Sequence, residues 1–334
     1  MQPESKRAFP DAFSGGGRYN AYGAFLKQFF GCRVAKIAVD AGFTCPNRDG
    51  SIGSGGCTYC NNDAFVPATA RRTDPVPEQV QAGILYLKRR FRARKFIVYF
   101  QPYSNTHAPL EKLIPLYESA LGFPEVVGIA VGTRPDCVDE EKISWFENLA
   151  RSRFVTLEYG LESASNDTLA RINRGHDYGC WLAAVRRTRG RGIFLCAHLI
   201  LGFPWESRET TLAGADAVSG IGLDFLKLHH LHVVRDSALG RGYLERPFPL
   251  LEYRRYIDLL VDFLERLEPS IRLERLFGMV PEKHLIGPRW GKSKAEIHRD
   301  IVKTLESRDT WQGRRSRLSG DSFPPVSKTG EPES

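Results

Sequence analysis

The chain has 334 residues, 42% of them hydrophobic, enough to bury a sizeable core as one large domain or two. No apolar run approaches the roughly 20 residues of a membrane span, and the N-terminus, MQPESKRAFPDAFSGGGR, lacks the apolar centre of a secretory signal, so a cytoplasmic protein with no membrane partner is expected. The formal charge of +8 permits an acidic partner such as nucleic acid but identifies none.

Strand-like runs alternate with helical patterns along most of the chain, the signature of βα units around a parallel sheet. In order, the strand candidates are VAKIAVD from Val34, KFIVYF from Lys95, VVGIAVG from Val126, FVTLEYG from Phe154, IFLCAHLILG from Ile193 and DFLKLHHLHVV from Asp224. Between them the helical patterns are PEQVQAGILYLKRRF, APLEKLIPLYESAL, DEEKISWFENLA, DYGCWLAAVRRTRG and SRETTLAGADAVSG, several of them opening on Asp or Ser as an N-cap. Residues 34–245 therefore read as one α/β domain, preceded by an N-terminal segment, 1–33. A C-terminal extension, 246–312, carries the helix LEYRRYIDLLVDFLERLE, a short strand candidate, IRLERLFG, and a basic helix starting near Lys292. The polar, proline-bearing end, 313–334, is expected to be disordered.

Seven cysteines, an odd number with three crowded into FTCPNRDGSIGSGGCTYCNN, suit metal or cluster ligation by reduced thiols better than a disulfide framework. Cys45, Cys57 and Cys60 follow the first strand, at the carboxyl edge where parallel α/β enzymes build their sites. Three thiolates can hold a [4Fe-4S] cluster with one iron left open, whereas a structural zinc takes four protein ligands. The fourth would be Cys32, thirteen residues before Cys45 and across the first strand. Three idle thiols are the bland alternative, and a glycine-rich loop with no packing pattern argues against it.

GGCTYC with a third upstream cysteine resembles the cluster motif of the radical S-adenosylmethionine (radical SAM) superfamily. Eleven residues separate Cys45 from Cys57. Most of that superfamily has a much shorter gap, and the long one is similar to the catalytic subunit of Elongator. YFQPYSNT, VGTRPD, LEYGLESA, INRGH and HLILGFP follow in the order of the Elongator-like enzymes, so the chain resembles an Elongator-like bacterial radical SAM family. The resemblance implies an incomplete (β/α)6 TIM-type barrel with a short α/β C-terminal extension. It also implies a [4Fe-4S] cluster on Cys45, Cys57 and Cys60, S-adenosylmethionine as cofactor, and an electron donor such as flavodoxin or ferredoxin. The activity implied is generation of a 5′-deoxyadenosyl radical that takes a hydrogen atom from substrate. Some members are linked to tRNA wobble-uridine modification, which makes tRNA the expected partner and a carboxymethylaminomethyl-type side chain the expected product. A small metabolite as substrate is the enzyme alternative. A non-catalytic, zinc-stabilised RNA-binding protein is the other, and it requires Cys32 as ligand.

The same resemblance supplies cofactor-binding candidates. Tyr59 would lie near the adenine, though loop packing explains it equally. Gln101, with Tyr103, would meet the methionyl end; Asn105 and Thr106 could instead cap the next helix. Arg134 could hold a carboxylate or phosphate, or simply pair with Asp136. Glu162, where the family more often has glutamine, would accept from a ribose hydroxyl. Arg174 in NRGH would hold the cofactor carboxylate, and Gly202 would let the backbone approach adenine beside Pro204, although Trp205 stands where the family commonly has glycine. His198 could equally be a core histidine. On the sixth strand His230 and His232 share one face and His229 the other, with no carboxylate at ligand spacing to suggest a second metal. No catalytic residue is assigned. The basic runs KRRFRARK and RRTRGR precede strands, so they should end helices on the face opposite the site. PRWGKSKAEIHRDIVK, where Trp290 lies among lysines and arginines, is the better RNA-contact candidate; closure of the barrel's open side is its competing role.

Overall fold

The computed structural model describes residues 13, 17–61, 70 and 72–317. All six expected strands form: β1 (Val34–Val39), β2 (Lys95–Phe100), β3 (Val126–Thr133), β4 (Phe154–Glu162), β5 (Phe194–Leu201) and β6 (Phe225–His230). They pair parallel in chain order. Strands covered on both faces read as near-continuous apolar runs, and β4 is buried at every one of its positions. The helices α2 (Val76–Phe91), α3 (Leu110–Leu121), α4 (Glu140–Ala150), α6 (Tyr178–Thr188) and α7 (Arg208–Val218) connect the strands, with a short α5 (Asn166–Arg171) after β4. Asp139, Asp177 and Ser207 cap α4, α6 and α7 through their side chains, as their positions in the sequence suggest. Lys88 to Arg90 and Arg186 to Arg187 lie in the last turns of α2 and α6, where positive charge meets the negative end of the helix dipole.

The C-terminal extension completes the sheet. After the helix α8 (Ala238–Glu245), the amphipathic α9 (Tyr253–Arg266) returns the chain so that Arg272–Arg275 pairs parallel with β6 as a seventh strand. In chain order that strand is β8, because the predicted sixth strand does not run through to Val234. It ends at His230, and Val233–Val234 forms β7, antiparallel to β9 (Leu285–Gly287). The result is an α/β half-barrel of seven parallel strands, a curled sheet in the order β1-β2-β3-β4-β5-β6-β8. The last helix, α10 (Lys294–Ser307), carries a capping box at Ser293 and buries Ile297, Ile301 and Leu305. Beyond it Gly313 and Arg315 donate backbone N–H groups to Leu264 and Glu265 carbonyls, and Ser316 is buried, so the chain is held in place through 316. The expectation of disorder for 318–334 lies outside the described residues.

The half-barrel is filled in layers. At the amino edge, α1 (Tyr22–Phe30) plugs the bottom: Tyr22 meets Phe225 at 4.8 Å between ring centroids, and Phe154, Phe194 and Phe225 stack in series. One layer higher the filling is ionic. Lys36 Nζ donates to Glu158 and Glu274, each at 2.7 Å, and Lys227 bonds Glu158 and reaches Glu274 at 3.0 Å. The carboxyl edge above this layer carries the cysteine loop.

Candidate cluster and cofactor site

The loop after β1 is fastened to each neighbour in turn. Ser104 N donates to Thr44 O at 3.1 Å and the His107 ring meets Asp49 at 3.0 Å, tying the loop to the β2–α3 connection. Thr58 N donates to Ile172 O and Leu239 N to Thr58 O, tying it to α5 and α8. Two amide side chains cross the same seam, Asn47 Nδ2 donating to Asn173 O and Asn173 Nδ2 to Gly56 O. A segment with no hydrophobic period is thus fixed by hydrogen bonds, which a ligand-bearing loop needs.

Cys45, Cys57 and Cys60 converge there. Burial, and then the neighbouring sulfur of Cys57, push the Cys60 thiol up to about 11; burial raises Cys45 as well. Positive groups stand against them. Arg48 Nη2 donates to Cys60 O at 2.7 Å, and Arg174 Nη1 donates to Cys57 Sγ at 3.5 Å. The three sulfurs are neighbours but do not crowd at the spacing of about 3.8 Å that tetrahedral zinc thiolates require. The donor set, three thiols with N–H donors around them, fits an iron–sulfur cluster. Cys32 precedes β1 and Cys45 follows it, so a strand of six residues, about 20 Å long, runs between them, and Cys32 shares no ion-sized group of donors with the loop cysteines among the described residues. The four-cysteine zinc arrangement is therefore not assembled.

The other expected residues gather around this loop unequally. Tyr59 packs beside the apolar cluster of Ile172, Ile200, Phe203 and Leu231, and burial, then Glu162, keep its phenol neutral. Gln101 follows β2 with its N–H on Val39 O at 3.4 Å, next to the start of the cysteine loop. Glu162 ends β4 at φ 74°, 3.7 Å from Arg174. Gly202 has φ 90°, and a Cβ there would strike Leu251 at 2.8 Å, so close backbone packing is its visible reason. Arg134 is spent on protein: Nε and Nη2 clasp both oxygens of Asp136 at 2.8 and 2.7 Å, and Nη1 donates to Arg174 O. Burial would raise the Asp136 carboxyl, but Arg134 holds it below its ordinary value. Asn105 and Thr106 cap no helix; Asn105 Nδ2 staples Phe100, Pro102 and Gly132 carbonyls, and Thr106 bonds Thr133 and Cys137 O.

Below the loop, His198 joins the ionic layer. Burial would raise the Glu158 carboxyl, yet Lys227 and Lys36 hold it well below the carboxylate range. As an anion Glu158 only accepts, so the proton shared with His198 Nε2, 2.9 Å away, sits on the imidazole. Burial also lowers the His198 pKa, leaving a neutral ring whose Nδ1 is an acceptor. Glu158, Cys196 and His198 are the only such donors among the described residues close enough to share one ion, and two lysine ammoniums on Glu158 make this a poor cation site. His230 stacks on Trp290 at 3.8 Å, and its ring lies 4.0 Å from that of His232. Trp290, expected as a base-stacking platform, is thereby occupied, with its Nε1 on Leu251 O.

Sequence reasoning missed Asn47, Arg48 and the ionic layer. A lysine or glutamate at the centre of VAKIAVD, FVTLEYG and DFLKLHH was the available signal, since such groups enter apolar strands only when paired.

The chain matches the family model of the radical SAM superfamily over residues 47–215 and that of the radical SAM C-terminal domain over 223–307. It is 35% identical to YtqA of Bacillus subtilis (strain 168) over 297 residues, covering 89% of this chain and 92% of that one. The chain belongs to the radical SAM superfamily. It is also 34% identical to YhcC of Escherichia coli (strain K12), over 82% of this chain and 88% of that one. Among solved structures, the archaeal Elp3 of Methanocaldococcus infernus shares the fold at a TM-score of 0.66 and 16% identity. That match covers 84% of this chain, which spans only 64% of the Elp3 chain. This radical SAM enzyme therefore uses a [4Fe-4S] cluster and S-adenosylmethionine and needs a reductant. No helix among the described residues is long and apolar enough to cross a membrane.

Proposed function

We propose that this radical SAM enzyme acts on a wobble uridine of tRNA and builds a carboxymethylaminomethyl-type side chain at carbon 5. The observation that carries the chemistry is the convergence of Cys45, Cys57 and Cys60 in a hydrogen-bonded loop at the carboxyl edge of the half-barrel. The substrate rests on the order of Elongator-type segments along the chain. It gains support from the charge of +8 and from exposed Arg289, Lys294, Arg299 and Lys303 on or beside α10.

In this reading Cys45, Cys57 and Cys60 hold the cluster and leave one iron open. When bound, the cluster and S-adenosylmethionine supply one-electron cleavage of a carbon–sulfur bond and, through it, abstraction of a hydrogen atom from substrate. The chain's own part is to bind, orient and exclude water. Tyr59, with Ile200 and Phe203 behind it, gives the adenine an apolar wall; Gln101 meets the methionyl end; Glu162 accepts from a ribose hydroxyl; Gly202 keeps the backbone close. Arg134 secures the Arg174 carbonyl, and His198 Nδ1 offers the chamber floor an acceptor. A flavodoxin- or ferredoxin-type protein would deliver the electron.

Anaerobic reconstitution tests the chemistry. The parent protein should take up about four irons per chain and release 5′-deoxyadenosine with dithionite and S-adenosylmethionine. Cys45→Ala should lose both, and Cys32→Ala neither; tightly bound zinc without cleavage would overturn the assignment. The substrate is tested separately, by mass spectrometry of tRNA nucleosides from a deletion strain. An unchanged wobble-uridine profile would leave a small metabolite as substrate.

A further inference from the structure

Arg174 is placed with unusual care for a side chain that the family resemblance sends to the cofactor. Asn173 at φ 52° and Gly175 at φ 74° flank it, and Arg174 N closes on Leu169 O, so the backbone turns the side chain inward. The residue is only 6% exposed. Nη1 donates to Cys57 Sγ at 3.5 Å, and Nη2 donates to Gly160 O at 2.6 Å. A Cβ at Gly160 would lie 2.6 Å from Nη2 and 2.6 Å from Glu162 Oε1, so both side-chain ends would have to shift to admit one. Glu162, at 3.7 Å, is beyond hydrogen-bond range, and Nε has no partner among the described residues. Asn47 Nδ2 approaches the same sulfur at 3.8 Å. Cys57 thus receives two side-chain N–H donors, one of them a cation whose carboxylate partner is incomplete.

A buried guanidinium is costly unless a negative group compensates it. A thiolate at Cys57 supplies that charge, and the compensation is mutual. Positive charge and N–H donors on a ligand sulfur stabilise the added electron of a reduced cluster and raise its reduction potential. We propose that Arg174, through Cys57, sets the cluster's reduction potential rather than clasping the carboxylate of S-adenosylmethionine. The proposal rests on Cys57 being a cluster ligand. Arg174 acts as a positioning and tuning residue: one electron enters from the reductant, and no bond to Arg174 forms or breaks.

The test compares reconstituted parent, Arg174→Gln and Arg174→Lys by dithionite redox titration followed by electron paramagnetic resonance. Equilibrium dialysis of S-adenosylmethionine against each protein supplies the second readout. Arg174→Gln should shift the midpoint potential to more negative values and broaden the reduced-cluster signal, with cofactor affinity unchanged. Arg174→Lys, which keeps the charge and loses the fork, should shift it less. An unchanged potential with affinity weakened tenfold or more, about 1.4 kcal/mol, would return the guanidinium to the cofactor and overturn the proposal. Loss of iron from both variants with native circular dichroism would also overturn it, reducing Arg174 to a prop for the loop. If the parent itself takes up no iron, the ligand reading fails first and takes the proposal with it.

Discussion

Glu162 occupies a backbone conformation that costs a non-glycine residue about 1–2 kcal/mol. The strand register slips between Gly160 and Glu162, and this irregularity stands where the strand's last residue brings its carboxylate to 3.7 Å from Arg174, beside the cysteine loop. Strain kept at a strand end beside a site is more economically explained by the site than by packing. Glutamine at 162 retains an oxygen acceptor of the same reach, so Glu162→Gln should bind S-adenosylmethionine nearly as well as the parent. Glu162→Ala should bind it tenfold or more weakly in equilibrium dialysis, about 1.4 kcal/mol. Equal affinity in both variants would confine Glu162 to balancing Arg174. At this scale the cysteines were legible because their spacing is a pattern. Asn47 and Arg48 were not, because a donor's target is decided by how the loop folds over itself. For Arg134 the alternative of a pair with Asp136, two residues on, could be read from the sequence, and the bidentate contact is present.

Among the elements, the six strands and their helices were readable because burial on both faces enforces apolar runs and α/β connections follow short rules. Two features escaped. YGAFLKQFF, which forms α1, is apolar nearly throughout and shows no clean helical stripe. The seventh strand is only four residues long with a single buried position, too short for its sheet to be assigned without knowing that α9 returns the chain beside β6. Both act on the site from below: α1 seals the amino edge, and β8 brings Glu274 to the ionic layer. Phe225 joins the two halves of that floor, fully buried against Tyr22, Phe25 and Phe194. Phe225→Ala should therefore destabilise the protein by about 3–5 kcal/mol in urea unfolding. Iron uptake at the far edge should survive under native conditions. A loss below about 1 kcal/mol would mean that α1 is not a plug of the barrel but a loosely attached helix.

Over the whole molecule, the balance of charge makes stability depend on pH through histidine more than through the surface. His176, His198, His229, His230 and His232, five of the chain's eight, are held below their ordinary pKa, chiefly by burial; His176 falls to about 3 and His232 to about 4. A group with a depressed folded pKa contributes fully above its unfolded value, near 6.5, and loses that contribution as pH falls toward the folded value. Each such histidine should remove up to about 1.4 kcal/mol per pH unit below 6.5, less for His176, which is only partly buried. Asp224 opposes them. Burial raises its pKa to about 6, so between that value and 3.8 the native state takes up a proton and gains stability as pH falls, which offsets roughly one histidine. The net of several uncompensated histidines predicts a steep fall in the urea midpoint of the cluster-free protein between pH 7 and 5. His230 offers the decisive variant, because its ring is stacked on Trp290 and packed edge-on to Tyr256, surroundings that suit an apolar ring. His230→Phe should keep the fold at pH 7 and flatten the slope by about one proton, or about 1.4 kcal/mol per pH unit. An unchanged slope would show that His230 titrates alike in the folded and unfolded chain, and that water reaches the layer between β6 and α9.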